Sequence, residues 1–164
     1  MLIFALILTC VMLTVFVTDG LRYVIPNWLV LAILLIYPVM VWRLHVPDWP
    51  LAFAIALACF AVGFLIFITK IMGGGDVKLL AAASLYAGKT SILPFIVAVA
   101  MLGGVLALLL ILGRPLAHYA AGKIGQANRL PRVLMVDQPV PYGLAIAGAF
   151  LWLLWSSRIP GIFV

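Results

Sequence analysis

The run ILPFIVAVAMLGGVLALLLIL occupies residues 92–112 and contains no charged side chain. The hydrocarbon core of a bilayer is about 30 Å thick, and an α-helix needs about 20 apolar residues to cross it. The run therefore has the length and composition of a membrane-spanning helix. The whole chain supports this interpretation, since 68% of its 164 residues are hydrophobic and 9% are charged, unlike a soluble domain.

Further apolar segments lie on both sides of this run. Each is expected to be helical, because backbone polar groups in lipid must be satisfied within their own segment. The first lacks the basic start and the cleavage site of a signal peptide, so we expect it to be retained. The sequence predicts an all-α membrane protein, a bundle of about six transmembrane helices in a single domain over residues 1–164. The segments are 2–17, 28–42, 51–68, 77–87, 92–112 and 144–155.

The basic residues predict the orientation, because Lys and Arg in short connections favour the cytoplasmic side. With the N-terminus outside, seven basic residues fall on the cytoplasmic side and three on the outer side. A sequence pI near 9.8 then reflects topology and contact with lipid rather than nucleic acid, for which the chain has no motif. The cytoplasmic set is Arg22, Lys70, Lys78, Arg114, Lys123, Arg129 and Arg132, and the outer set is Arg43, Lys89 and Arg158.

The chain has four acidic residues, Asp19, Asp48, Asp76 and Asp137, and no glutamate. Asp48 and Asp137 lie in turn-like segments, where a solvated carboxylate is the natural interpretation. Asp19 and Asp76 instead lie at the predicted cytoplasmic edges of two spans, and therefore at one membrane depth. Carboxylates in such places usually face the bundle interior or a water-filled cavity, which makes them candidate functional residues.

Each of the two aspartates also has a structural interpretation when it is taken alone. Asp19 would form an interfacial ion pair with Arg22, and Asp76 would be an N-cap or first-turn carboxylate favoured by the helix dipole. Taken together, two converging carboxylates do not both ionise easily, so one keeps a proton while the other acts as a base. That is the chemistry of aspartyl proteolysis, which needs no metal and no cofactor.

Three glycines, Gly73, Gly74 and Gly75, directly precede Asp76. Glycine tolerates positive φ and permits close approach of another backbone. We therefore expect these residues to support the site and to let an extended substrate strand lie beside it. The structural alternative is a flexible loop or a close helix contact.

Other intramembrane protease classes lack matching residues. The two histidines, His45 and His118, are not in the HExxH spacing that holds zinc. No serine lies in a GxSxG setting. The two cysteines, Cys10 and Cys59, have no CxxC partner. We expect no metal site, and a hydrolase built on this sequence would use its aspartates.

Three motifs resemble those of the type IV prepilin peptidases, which are bacterial GxGD aspartyl proteases of the inner membrane. TDGLR at residues 18–22, with IPNW at 25–28, is similar to the family's aspartate, basic residue and IPN sequence. GGGDVKL at 73–79 resembles its GxGDxK motif. VPYGLAI at 140–146 resembles the PYG segment that begins the last helix.

The resemblance implies that Asp19 and Asp76 are the catalytic aspartates and that Gly73 and Gly75 are the motif glycines. It further implies cleavage of a short basic leader from prepilins or pseudopilins at the cytoplasmic face. The cysteine-bearing segment of larger members is missing, so the chain resembles the short, peptidase-only form of Flp or Tad pilus systems. Without the resemblance, the residues leave two other functions open: a small ion- or proton-coupled transporter that uses the same aspartate pair, and a structural component of a secretion machine. The oligomeric state is also left open.

Overall fold

The fold is helical throughout the residues that the computed structural model describes, which are 2–46, 48–123, 134–135, 140–156 and 159. These residues form five helices and no strand, which confirms the all-α class. Four helices are long and apolar enough to cross a membrane, whereas the last has 14 residues and is about 21 Å long. The helices are α1 (Leu2–Arg22), α2 (Asn27–Leu44), α3 (Trp49–Ile68), α4 (Gly74–Lys123) and α5 (Tyr142–Trp155).

The predicted fourth and fifth spans, residues 77–87 and 92–112, both lie in the 50-residue element α4. The backbone of α4 is not helical at Gly88, where φ is 55° and ψ is −165°, so two helical arms meet at a kink. Only glycine adopts this backbone conformation readily. The count of about six transmembrane helices is not confirmed, since the described part of the chain holds four helices with the length and apolarity to span.

The shortest helix, α5, lies between α1 and α4 and packs against both. More than half of its residues are buried, and three of them, Ala145, Ala147 and Ala149, are alanines. Small residues allow helix backbones to approach closely, which is how helices associate in membranes without a hydrophobic driving force. The start of α5 is therefore held at the end of α1, where Asp19 lies.

Tyr86 joins α4 to two other helices in the middle of the bundle. Its hydroxyl donates a hydrogen bond to the Ile33 carbonyl oxygen of α2 at 2.6 Å. Its ring makes edge-to-face contacts with Tyr37 of α2 and Phe150 of α5, at centroid distances of 5.2 and 5.5 Å. These contacts fix the first arm of α4, and hence Asp76 at its start, relative to the other helices.

The outer face of α3 is apolar although it is exposed. Phe53, Leu57, Leu65 and Ile68 each leave more than half of their surface uncovered by the rest of the chain. A water-soluble protein rarely exposes a continuous apolar surface of this kind. Lipid is the solvent that suits it, in agreement with a membrane protein.

Candidate active site

Asp19 lies in the last turn of α1 and is buried, with 4% of its surface exposed. An anion at the C-terminal end of its own helix is unfavourable, because that end of the helix dipole is negative. The N-terminus of α5 compensates for this. The Leu144 N–H donates a hydrogen bond to Asp19 Oδ2 at 3.2 Å, and the Gly143 N–H also interacts with the carboxylate. The partners of Asp19 are therefore these backbone donors, and not Arg22, with which the sequence analysis considered an ion pair.

Asp76 lies in the first turn of α4 and is also buried. Its Oδ2 accepts a hydrogen bond from the Gly73 N–H at 3.3 Å. This satisfies one of the N–H groups that a helix start leaves without an intrahelical partner. Asp76 thus caps its own helix, which is the structural interpretation that the sequence analysis gave for this residue. It also faces a cavity.

Both carboxylates line one cavity of about 460 Å³ at this end of the bundle. Their negative charges act on each other, and the Gly143 N–H interacts with both. The structure thereby brings together the two aspartates that the sequence predicted as a pair. The remaining lining residues come from the ends of α1 and α3, the link to α4 and the segment before α5: Tyr23, Phe67, Ile68, Lys70, Ile71, Met72, Gly73, Val140 and Pro141.

The glycines before Asp76 lie at close contacts, and their role beside a substrate strand stays a prediction. None of Gly73, Gly74 and Gly75 has a positive φ, and Gly88 is the one glycine with positive φ in the described part of the chain. Their lack of a side chain serves close packing instead. A Cβ on Gly75 would lie 3.3 Å from Ile25 Cβ, and one on Gly73 would lie 3.0 Å from Asp76 Oδ2. Gly73 lines the cavity, while Gly74 packs against Phe67.

The other two aspartates do not join this site. Asp48 precedes α3 and lines a separate cavity of about 90 Å³ together with Lys89 and Thr90. Asp137 lies outside the described residues. Neither His45 nor His118 lines the cavity with the aspartate pair, and the described residues contain no cluster of three metal-ligating side chains.

Tyr23 and Lys70 line the cavity, and the sequence analysis did not predict either of them as a site residue. Each follows the end of a helix with a positive φ, 56° for Tyr23 and 61° for Lys70, a conformation that is uncommon for residues with side chains. Burial raises the pKa of the Tyr23 phenol, although the Arg114 guanidinium nearby opposes this shift. Tyr23 is therefore a neutral hydrogen-bond donor near pH 7.

The fold and the site define a class: a helical membrane protein in which two carboxylates from different helices share a cavity at one end of the bundle. The model of the type IV leader peptidase family matches residues 6–108, a stretch that includes both aspartates. This chain belongs to the type IV leader peptidase family, as its motifs predicted. No curated protein and no solved structure matches the chain. The family match ends before α5, so residues 140–146 lie outside it.

Proposed function

We propose that this protein is an aspartyl endopeptidase that removes the short basic leader from prepilins or pseudopilins. One observation carries the proposal: Asp19 and Asp76, 57 positions apart in the sequence, line the same cavity. Membership of the leader peptidase family supports a peptidase in general. The side chains present support the aspartyl class, because Asp19 and Asp76 are the two carboxyl groups among the described residues that line the cavity.

The proposed mechanism needs one ionised and one protonated carboxyl group. Two carboxylates in one cavity disfavour double ionisation, so the pair holds a shared proton near neutral pH. The ionised member takes a proton from a water molecule, which attacks the scissile carbonyl carbon. The protonated member donates a hydrogen bond to the carbonyl oxygen and then helps to protonate the leaving amine. The peptide is cleaved without a covalent intermediate.

The cavity lies where a leader peptide would meet the hydrophobic stem of a prepilin. Asp19 is three residues from the end of α1, and Asp76 is in the first turn of α4, so both lie near the membrane surface. The walls combine apolar residues of α3 and the link to α4, such as Phe67 and Ile71, with Val140 and Pro141. This setting suits a substrate whose scissile bond separates a polar leader from an apolar helix.

The basic residues support a cytoplasmic location for the cavity, in a bacterial inner membrane. Arg22, Lys70 and Arg114 lie at the cavity end of the bundle, whereas Lys89 and Arg43 lie at the opposite end. An excess of basic residues marks the cytoplasmic side. The N-terminus would then be outside.

The proposed function is tested by co-expressing the protein with a candidate prepilin and following removal of the leader by gel mobility and product mass. We expect the wild-type protein to shorten the prepilin by the length of its leader. A prepilin whose basic leader residues are replaced by glutamine serves as the substrate control. An intact prepilin in the presence of correctly inserted wild-type protein, tested across the pilins of the same genome, would contradict the proposal.

The proposed orientation gives a separate prediction for single-cysteine variants. In a background with Cys10 and Cys59 replaced by alanine, Lys89→Cys should react with a membrane-impermeant maleimide added to intact spheroplasts. Lys70→Cys should react only after the membrane is permeabilised, because it lines the cytoplasmic cavity. The reverse labelling pattern would place the aspartate pair on the outer side.

Two other hypotheses were open at the level of the sequence, a transporter and a structural component of a secretion machine. Family membership favours the peptidase over both. Buried carboxylates alone would not distinguish a peptidase from a transporter, since proton relays in transporters also use buried aspartates.

A further inference from the structure

We propose that Gly143 is a positioning residue for Asp19. By having no side chain, it lets the Asp19 carboxylate reach the N-terminus of α5, which then holds that carboxylate facing Asp76. This inference rests on the proposed peptidase function. It concerns a part of the chain that the family match does not cover.

The first argument is steric. A Cβ built on Gly143 would lie 2.6 Å from Asp19 Oδ2 and 2.8 Å from Asp19 Cγ. Carbon atoms in van der Waals contact are separated by about 3.5 to 4.0 Å, so any side chain at this position would displace the carboxylate. Ile25 Cδ1 is the third close atom, at 2.9 Å. An added Cβ would find its nearest atom 3.0 Å or more away at Gly20, Gly63, Gly73, Gly74, Gly75, Gly103 and Gly148.

The second argument concerns hydrogen bonding. The Leu144 N–H donates to Asp19 Oδ2 at 3.2 Å, and the Gly143 N–H interacts with both aspartates. These N–H groups belong to the first turn of α5 and carry the positive end of the helix dipole. The Leu144 N–H is shared, since it also donates to the Pro141 carbonyl oxygen at 3.3 Å. A carboxylate bound there is restrained in position, which matters because hydrolysis needs both carboxylates aligned with one water molecule.

A third argument comes from two neighbouring glycines that lack this relationship. A Cβ on Gly148, in the same helix, would meet only Leu102 Cδ1, at 3.4 Å. A Cβ on Gly20, next to Asp19, would meet the Leu144 side chain at 3.5 Å. Both are ordinary packing distances, so a methyl group at either position leaves the carboxylate in place. Neither neighbour therefore shares the close approach of Gly143 to the Asp19 carboxylate. Gly73 approaches the other aspartate less closely, since a Cβ there would lie 3.0 Å from Asp76 Oδ2.

The test measures kcat and KM for prepilin cleavage by purified Gly143→Ala, with Gly148→Ala as the matched control in the same helix. A misplacement of about 1 Å can reduce catalysis about 100-fold. We therefore expect kcat of Gly143→Ala to fall about 100-fold, with KM and the melting temperature near their wild-type values. We expect Gly148→Ala to keep the wild-type kcat. A wild-type kcat in Gly143→Ala would overturn the inference.

A double variant separates positioning of Asp19 from simple packing. Ile25→Val removes the Cδ1 atom that a side chain at position 143 would also meet. We expect Gly143→Ala/Ile25→Val to stay as inactive as Gly143→Ala, because the contact with Asp19 remains. Recovery of kcat in the double variant would assign the defect to packing against Ile25 and overturn the inference.

A third variant decides the matter if Gly143→Ala does not fold. Leu144→Pro removes the N–H that bonds Asp19, and with it the 3.3 Å bond to the Pro141 carbonyl oxygen, without adding an atom at position 143. Proline is tolerated in the first turn of a helix, and the melting temperature shows whether loss of the bond to Pro141 affects the fold. We expect its kcat to fall at least 10-fold, and a wild-type kcat would overturn the inference. Failure of the proposed function itself is distinguishable, because the wild-type protein would then leave the prepilin intact.

Discussion

Replacing Asp76 by asparagine is expected to lower kcat for leader cleavage at least 1000-fold, and replacing Asp19 by asparagine is expected to do the same. General acid–base catalysis contributes about 100- to 10,000-fold, and each aspartate takes part in more than one proton transfer. Asparagine keeps the size of aspartate but cannot exchange a proton. Its side-chain oxygen can still accept the hydrogen bond that Gly73 or Leu144 donates, so the fold should persist.

The control for both variants is Asp48→Asn. Asp48 lies in a separate cavity at the other end of the bundle, so its replacement should leave kcat within about twofold of the wild type, as expected for a residue outside the chemistry. All three variants are compared by membrane insertion and melting temperature as well as by cleavage. Near wild-type cleavage in Asp19→Asn or Asp76→Asn would remove that residue from the mechanism.

The second large effect is expected at the kink in α4. Gly88 is buried and has φ of 55° and ψ of −165°, a region that residues with a Cβ almost never occupy. We expect Gly88→Ala to lower the free energy of unfolding by about 2 to 3 kcal/mol. That is a large part of the stability of an ordinary domain. The two arms of α4 can relieve the strain only by changing their relative direction, which would move Asp76.

A matched control lies in the second arm of the same element. Gly104 is within the helix, and a Cβ there would have no atom within 4 Å. Glycine inside a helix is less favourable than alanine by about 0.5 to 1 kcal/mol, so Gly104→Ala should raise the free energy of unfolding slightly. Unfolding in mixed detergent micelles measures both variants. Equal stability of Gly88→Ala and the wild-type protein would show that position 88 tolerates a side chain.

The sequence predicted the helical class and the aspartate pair because both depend on strong, local signals. Long apolar runs need a lipid environment, and only two of the four aspartates lie at the predicted cytoplasmic ends of such runs. The kink at Gly88 could not be predicted in the same way. The sequence predicts two spans, residues 77–87 and 92–112, while the structure joins them through one non-helical residue whose dihedral angles have no distinct sequence signal.

The contribution of α5 to the site could not be derived from local patterns. Contacts between Asp19 and the amides of Gly143 and Leu144 join residues more than 120 positions apart. Proline before a helix start and glycine at its second position indicate where α5 begins, but they do not say which carboxylate meets it. The motif at residues 140–146 was therefore noted without a role. The positive φ values of Tyr23 and Lys70 likewise have no local sequence signal.

The glycines before Asp76 show that one residue type can have two physical explanations. Their presence beside a catalytic candidate suggested unusual dihedral angles, which glycine permits. In the structure they are instead places where Ile25, Phe67 and the Asp76 carboxylate come close. The residue type was informative, but it has two physical explanations that only the packing separates.

The most direct test of the account is the proximity of the two aspartates in the membrane. In the background without Cys10 and Cys59, Asp19→Cys/Asp76→Cys is treated with a short bifunctional thiol reagent, beside Asp48→Cys/Asp76→Cys as the control. The account predicts intramolecular cross-linking in the first protein and none in the second, because Asp19 and Asp76 share a cavity and Asp48 lies elsewhere. Absence of the cross-link in the first protein, with both thiols shown to be reactive, would contradict a catalytic pair.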